Sequence, residues 1–178
     1  MNSINRNQPE HNHADLAGPE AVAKIKELVK RAQNCFFRTL GGESELAVRP
    51  MNVRQVDDEG VLWFLSANDS HQNRELMHNS AVTLFFQGSP HSDFLLLTGD
   101  AQVSTDKAKI KELWEPILAT WFTGGIDDPR ITVIKFKPAA GYYWDTKHGA
   151  MVAGVKMVIG AVLGKTLDDS VEGKLKVC

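Results

Sequence analysis

The alternation of apolar and polar residues along the chain predicts a protein of mixed class in which strands predominate. Apolar residues at Val22, Ile25, Leu28 and Val29 recur with helical spacing opposite lysines and glutamates, which predicts an amphipathic first helix. After this helix, runs rich in β-branched and aromatic residues are separated by short Gly, Asp and Ser segments, as in strands joined by turns. The predicted strands cover 35–40, 45–56, 61–67, 81–88, 93–105 and 131–146.

Two further helices are predicted between these runs. SHQNRELMHN (70–79) is a short helical segment, and DKAKIKELWEPILATWF (106–122) keeps apolar residues at helical spacing. Pro116 lies inside the second segment, where a proline kinks a helix or separates two pieces. The helices do not alternate regularly with the strands, so a parallel βαβ sheet is disfavoured. The pattern favours a small antiparallel barrel with peripheral helices.

The domain boundaries follow from changes in composition. Residues 1–18 are polar and rich in Asn and His, which predicts a flexible N-terminal tail. Residues 19–150 contain all the predicted strands and form one domain. Residues 151–178 begin with an apolar stretch that is too short to span a membrane and carries Lys156, so we interpret this part as a packing segment followed by a tail.

Charge and cysteine content restrict the class of partner and the compartment. The formal net charge of the 178 residues is −2, which disfavours nucleic acid and anionic membranes as partners. Cys35 and Cys178 do not form a disulfide framework, and the N-terminus lacks the apolar core of a signal peptide. These features predict a cytoplasmic protein that binds neither nucleic acid nor membrane.

Most catalytic motifs are missing from the sequence. It contains no GxSxG, HExxH or GxGxxG, and GAVLGKT (160–166) is one residue short of a phosphate-binding loop. The HNH at 11–13 stands in a polar tail without cysteine partners, so no metal site is predicted.

The stretch FLSANDSHQNREL (64–76) has two interpretations. Asp69 or Ser70 is suited to cap the following helix, with Gln72 or Asn73 as the reciprocal partner of a capping box. Alternatively, the free N–H groups at the helix start, together with the hydroxyls of Ser66 and Ser70, form an anion site. The residues alone favour neither interpretation.

The order of longer motifs adds a family resemblance. ELAVRPMNV, DDEGVLWFLSANDSH, NSAVTLFF, LTGDAQV, WFTGG-DDP and YYWD together resemble the general stress protein 26 group of the pyridoxamine 5'-phosphate oxidase-like, FMN-binding split barrels. The resemblance extends from residue 19 to about residue 146. It implies a six-stranded antiparallel split barrel with peripheral helices that forms a homodimer, with FMN at the subunit interface.

The resemblance also implies a set of FMN-binding residues. Arg49 corresponds to the phosphate-binding arginine, while Ser70, His71 and Gln72 enclose the phosphate and Trp144 comes from the other subunit. The family commonly has lysine at the position of Gln72, so one charged phosphate contact is missing here. The full implied set is Arg49, Pro50, Met51, Phe64, Leu65, Ser66, Ala67, Ser70, His71, Gln72, Gln87 and Trp144.

The sequence does not determine the activity. The family implies an FMN-dependent oxidoreductase, but no residue is an evident catalytic acid or base. The basic residues that grip the substrate phosphate in pyridoxamine 5'-phosphate oxidase have no clear match in GYYWDTKHGAM. A flavin-binding or storage module without turnover, and a split barrel that has lost FMN, are the alternatives.

Overall fold

The computed structural model describes residues 12–40, 47–90, 92–146 and 170–177. Within these ranges it contains nine strands, three α-helices and two 3-10 helices. The strands are β1 (Leu16–Ala17), β2 (Asn34–Thr39), β3 (Val48–Asn52), β4 (Gln55–Val56), β5 (Leu62–Ala67), β6 (Ala81–Gln87), β7 (Phe94–Ser104), β8 (Ile131–Thr146) and β9 (Ser170–Lys176). The α-helices are α1 (Gly18–Ala32), α2 (His71–His78) and α3 (Lys107–Leu113), and the 3-10 helices span Pro116–Thr120 and Gly125–Asp127.

The six predicted strand runs all occur and form a split ring. β3 pairs with β2, β2 with β6, β6 with β7, β7 with β8 and β8 with β5, all antiparallel. The run predicted as one strand over 45–56 is broken at Val53 and Arg54, and its second part, β4, pairs with β5 instead of β2. The break is the split in the barrel. The α+β class and the split-barrel architecture with peripheral helices are thus confirmed.

Two strands extend the sheet beyond the predicted six. β9 pairs antiparallel with the second half of β8, and β1 pairs parallel with β9. A Cβ atom at Gly173 would lie 1.9 Å from the carbonyl oxygen of Ala14, so this close approach of backbones requires glycine. The boundaries at 18 and 150 stay a prediction, and residues 151–169 and the GAVLGKT motif lie outside the described residues.

The barrel interior holds the main hydrophobic core. Strand alternation turns Phe37, Phe64, Leu84, Leu97 and Phe136 inward, and each is fully buried. The rings of Phe37 and Phe64 meet edge to face with centroids 5.4 Å apart. A second, smaller core forms where α3 and the following loop pack on the outside of β8.

Helix α1 is held on the barrel by ion pairs as well as by its apolar face. Lys24 Nζ lies 3.0 Å from Asp145 Oδ2, and Arg31 Nη1 lies 2.5 Å from Asp93 Oδ1. Both carboxylates are buried. Burial alone would raise the pKa of Asp145, but hydrogen bonds from the Thr146 N–H and from Lys24 hold that pKa below its ordinary value.

The outer face of the barrel carries a continuous apolar row. Phe36 on β2 lies opposite Pro50 on β3 and Phe85 on β6, and the row continues through Leu96 on β7 to Tyr142 on β8. Phe36 is 60% exposed and Phe85 is 39% exposed. A row of this length across five strands is typical of a surface that another protein covers.

Among the described residues, no helix has the length and hydropathy needed to cross a membrane. The same residues contain no group of three or more side chains placed to hold a metal ion.

Candidate functional site

The candidate site begins at the turn that joins β5 to α2. Ser70 is the N-cap of α2, and its Oγ accepts the backbone N–H of Asn73 at 3.1 Å. The Oγ atoms of Ser66 and Ser70 are 3.2 Å apart. The reciprocal half of the predicted capping box does not form, because the Ser70 N–H donates to the Ala67 oxygen at 3.0 Å and Asn73 Oδ1 has no hydrogen-bond partner among the described residues. The side-chain amide of Asn73 donates instead to Thr132 Oγ1 at 2.8 Å. The cap is therefore Ser70 rather than Asp69.

The same turn leaves donors available for an anion. The backbone N–H groups of His71 and Gln72 have no acceptor among the residues that the structure describes. Gln72 is only 2% exposed, and its Nε2 is buried without a hydrogen-bond partner. Free backbone amides at a helix start attract anions, and the helix dipole adds to this attraction. The helix cap and the anion site that were predicted for this stretch are therefore compatible, because the turn capped by Ser70 also contains the free N–H groups.

Arg49 reaches the same helix from β3. It lies opposite Phe37 on the inward face, and its guanidinium is 2.7 Å from Glu75 Oε2 and 2.8 Å from Glu75 Oε1. Glu75 is one turn into α2 and only 7% exposed, and its Oε2 also accepts the hydroxyl of Thr39 at 2.6 Å. The paired, two-pronged contact fixes the guanidinium beside α2.

This ion pair sets the electrostatics of the site. The Arg49 guanidinium holds the pKa of Glu75 below its ordinary range, although burial opposes that effect, and the Thr39 hydroxyl acts in the same direction as Arg49. Glu75 is therefore ionised at neutral pH and offsets the charge of Arg49. With glutamine at position 72, Arg74 is a further arginine close to the turn in sequence. It is exposed and forms no ion pair with the described residues.

The remaining predicted residues lie in several different places. Phe64 is fully buried against Phe37, so a ligand beside β5 meets its backbone and not its ring. Gln87 and Trp144 lie on the outward face, beside the apolar row. Phe94 on β7 pairs with Gln87 on β6 and with Trp144 on β8. Of the others, five lie together at the turn: Ser66, Ala67, Ser70, His71 and Gln72. Leu65 and Ala67 also pack on the second core, while Pro50 lies in the outward apolar row and Met51 packs against the main core.

Several residues that shape the site were not identified from the sequence. Glu75 and Thr39 orient Arg49, while Thr132 accepts from Asn73 and donates to the backbone oxygen of Ser66 at 2.9 Å. All are polar and buried, and burial of a polar side chain has no signature in a single sequence. The alternation along β2 and β8 places Thr39 and Thr132 on inward faces, which is the one signal that marks them.

The WFTGG-DDP motif forms a loop that supports the turn. Asp128 accepts hydrogen bonds from the backbone N–H of Arg130 at 2.9 Å and from its Nη2 at 2.8 Å, and also from the N–H of Gly124. These hydrogen bonds, with those of the Arg130 side chain foremost, hold the pKa of Asp128 far below its ordinary value. Asn68 in the turn donates its N–H to the backbone oxygen of Arg130 at 2.7 Å.

The substitution Asp128→Asn is expected to loosen this support. An asparagine turns one accepting oxygen into a donor that faces the donors of Arg130, so the loop loses its charge-assisted bonds. We expect the melting temperature to fall by several degrees, measured by circular dichroism. Asp127→Asn is the matched control, because Asp127 is exposed and adjacent. Equal effects of the two substitutions would contradict the supporting role of Asp128.

Comparisons with known proteins show what this chain is similar to. A family model described as pyridoxamine 5'-phosphate oxidase like matches residues 20–168. The protein bli-3 of Neurospora crassa is 24% identical over 129 residues, which are 67% of this chain and 62% of that protein, so the match spans less than two thirds of bli-3.

Solved structures share the fold. A candidate general stress protein 26 from Jannaschia sp. CCS1 superposes with a TM-score of 0.69 at 21% identity, covering 86% of this chain and 96% of that one. A general stress FMN/FAD binding protein from Xanthomonas citri superposes with a TM-score of 0.58 at 25% identity, covering 66% of this chain and 82% of that one.

Proposed function

This chain belongs to the pyridoxamine 5'-phosphate oxidase like family, as its motifs indicate, and we propose that it is a general stress protein that binds FMN. One observation carries the proposal. The free N–H groups of His71 and Gln72 and the guanidinium of Arg49, which are distant in sequence, converge on the first turns of α2. The neighbour from Xanthomonas citri, described as an FMN/FAD binding protein, supports the flavin as the ligand.

The residues present fit a flavin phosphate. The backbone amides of His71 and Gln72 supply donors at the positive end of α2. Since Ser66 and Ser70 share one hydrogen bond between their hydroxyls, one of the two hydroxyl hydrogens is free to donate outward. Glu75 accepts from two of the five N–H donors of Arg49 and Thr39 Oγ1 accepts from a third at 3.4 Å, which leaves two donors for an anion.

The flavin, when bound, supplies the redox chemistry, and the chain binds and orients it. In our proposal the phosphate lies at the β5–α2 turn and the ring lies beside the backbone of β5. We assign no catalytic acid or base.

A homodimer completes the proposed site. Trp144, which the family resemblance assigns to the flavin of the other subunit, lies on the outward face with Gln87 and not at the β5–α2 turn. The exposed row through Phe36 and Phe85 adjoins it on the same face and supplies an apolar contact surface for a second copy. A twofold contact through this row would bring Trp144 of each subunit to its partner.

A flavin-binding module without turnover is the second candidate function. The specific observation in its favour is that neither Glu75 nor Cys35, the buried titratable groups nearby, is available as a catalytic acid, base or nucleophile. Glu75 is paired with Arg49, and burial raises the pKa of the Cys35 thiol to about 12, so it is no nucleophile at neutral pH. Bleaching of bound flavin by NADH or NADPH, followed by turnover, would favour the oxidoreductase, and a flavin that neither bleaches nor turns over would favour the binding module.

The proposal is tested by the visible absorbance spectrum of the purified protein, followed by titration with FMN and with riboflavin. FMN is expected to bind more tightly than riboflavin, because riboflavin has no phosphate for the turn to hold. Equal affinities would contradict the phosphate site, and a colourless protein that binds neither flavin would contradict flavin binding altogether.

The substitution Gln72→Lys is expected to raise the affinity for FMN about tenfold, because a charge-assisted bond replaces a neutral one at the phosphate. The affinity for riboflavin is expected to stay unchanged. Gln102→Lys on β7 is the matched control, since it adds the same charge at an exposed position away from the turn. An FMN affinity that is unchanged by Gln72→Lys would remove Gln72 from the phosphate site.

A further inference from the structure

A second concave surface lies away from the β5–α2 turn. It is a groove of about 310 Å³ between the last turns of α1 and the segment that joins β3 to β4. None of the residues that line it belongs to the predicted flavin set. Its volume is at the lower end of the range for sites that bind small molecules.

The groove has an apolar floor and a positively charged rim. Val29, Val53 and Val56 form the floor, and Lys26 and Lys30 of α1 stand at the rim. No acidic residue lines the groove. The carboxylates of Asp58 and Glu115 form ion pairs with two cations of the groove, Lys26 and Arg54.

Lys30 is the available cation of the rim. Lys26 Nζ lies 2.6 Å from the fully exposed carboxylate of Asp58, and Arg54 is held by Glu115 at 2.6 Å. Lys30 is exposed and forms no ion pair with the residues that the structure describes. Lys30 lies in the last turn of α1, where its charge also offsets the helix dipole, but that role leaves its three N–H donors free.

One backbone acceptor at the helix end, beside the groove, is already satisfied. The backbone oxygen of Gln33, which follows α1, already accepts the N–H of Val53 at 2.9 Å and the side-chain amide of Asn52 at 3.3 Å. A ligand in the groove thus meets an apolar floor and a cationic rim.

We propose that the groove between α1 and the β3–β4 segment binds a small organic anion that carries a carboxylate or phosphate on an apolar body. The anion lies at Lys30, and the apolar body lies on the three valines. The site is separate from the flavin site, and the proposal does not rest on flavin binding.

Titration calorimetry with phenyl phosphate, benzoate and uncharged benzyl alcohol tests the site. The full chain is titrated once saturated with FMN, so that the flavin site is closed to phosphate, and once without flavin. Both anions are expected to bind more tightly than benzyl alcohol under both conditions. Anions that bind no more tightly than the alcohol would overturn the proposal, and so would binding that FMN abolishes.

Lys30→Met tests the assignment to this groove. It keeps the apolar stem and removes the charge, and we expect binding of phenyl phosphate to weaken about tenfold while binding of benzyl alcohol stays unchanged. Lys137→Met on β8 is the matched control, because Lys137 is an exposed lysine on a different element. Equal loss in the two variants would show a general effect of surface charge and would overturn the site.

Discussion

Arg49→Met is expected to lower the free energy of unfolding by about 3 kcal/mol, and the double variant Arg49→Met/Glu75→Gln is expected to recover most of that loss. Removal of one partner from a buried ion pair costs about 3–5 kcal/mol, because the other charge stays buried and unpaired. Glu75 is 7% exposed, whereas the Arg49 side chain is 23% exposed, so the lower end of that range applies. Urea denaturation of the wild type, both single variants and the double variant measures the coupling.

The same double variant separates stability from ligand binding. With Glu75 neutralised, the loss of Arg49 no longer leaves a buried charge, so a fall in FMN affinity reports the lost phosphate contact. We expect FMN to bind at least about tenfold more weakly to the double variant than to Glu75→Gln alone, and riboflavin to bind equally to both. If these two variants bind FMN with equal affinity, Arg49 stabilises the fold and does not contact the phosphate.

The pH dependence of stability follows from the same pair. The pKa of Glu75 is lower in the folded chain than its ordinary value of 4.5, so the ion pair stabilises the fold fully above that value. The contribution is lost as the pH falls through the lowered pKa. Glu75→Gln is expected to flatten this part of the acid denaturation profile.

Phe36→Lys is expected to convert the proposed homodimer into a monomer. Phe36 is 60% exposed within the apolar row, and a twofold contact would bury it once in each subunit. Loss of two buried aromatic side chains and addition of two charges is expected to raise the Kd of the dimer by at least about 100-fold. Analytical ultracentrifugation across a range of protein concentrations measures the change.

Ile117→Lys is the matched control for the interface. Ile117 is 61% exposed on the 3-10 helix Pro116–Thr120, outside the apolar row, so the same kind of change is expected to leave the dimer intact. Because the proposed flavin site takes Trp144 from the partner, Phe36→Lys is also expected to weaken FMN binding. A wild-type chain that is monomeric at all concentrations, or a Phe36→Lys variant that dimerises as the wild type does, would contradict this interface.

Local patterns predicted the elements of the barrel well. Runs rich in β-branched and aromatic residues, bounded by short Gly, Asp and Ser segments, marked β2, β5, β6, β7 and β8 within one or two residues, because such side chains favour extended backbone. The helix break at Pro116 and the cap at Ser70 are also local, since each depends on residues within one turn. The split between β3 and β4 was not predicted, because the run over 45–56 changes its partner strand without a change in its own pattern.

In the candidate site, too, some residues could be predicted from the sequence and others could not. The family motifs identified Arg49 and the turn around Ser70, and the structure brings both to α2. Glu75 reads as an ordinary polar helix residue in the sequence, and only the packing of α2 against β2 and β3 buries it beside Arg49. The net charge near the turn therefore could not be predicted from the residues of the turn alone.

The sequence by itself determined the strands, the helices and the family, because hydrophobic periodicity, capping residues and motifs are properties of neighbouring positions. Only the tertiary structure decided which charges meet. It placed Glu75 against Arg49, the backbone of Arg130 against Asn68 of the β5–α2 turn, and β1 against β9 from the opposite end of the chain. Such contacts join residues that are far apart in sequence, and their energies depend on burial, which the folded chain alone creates.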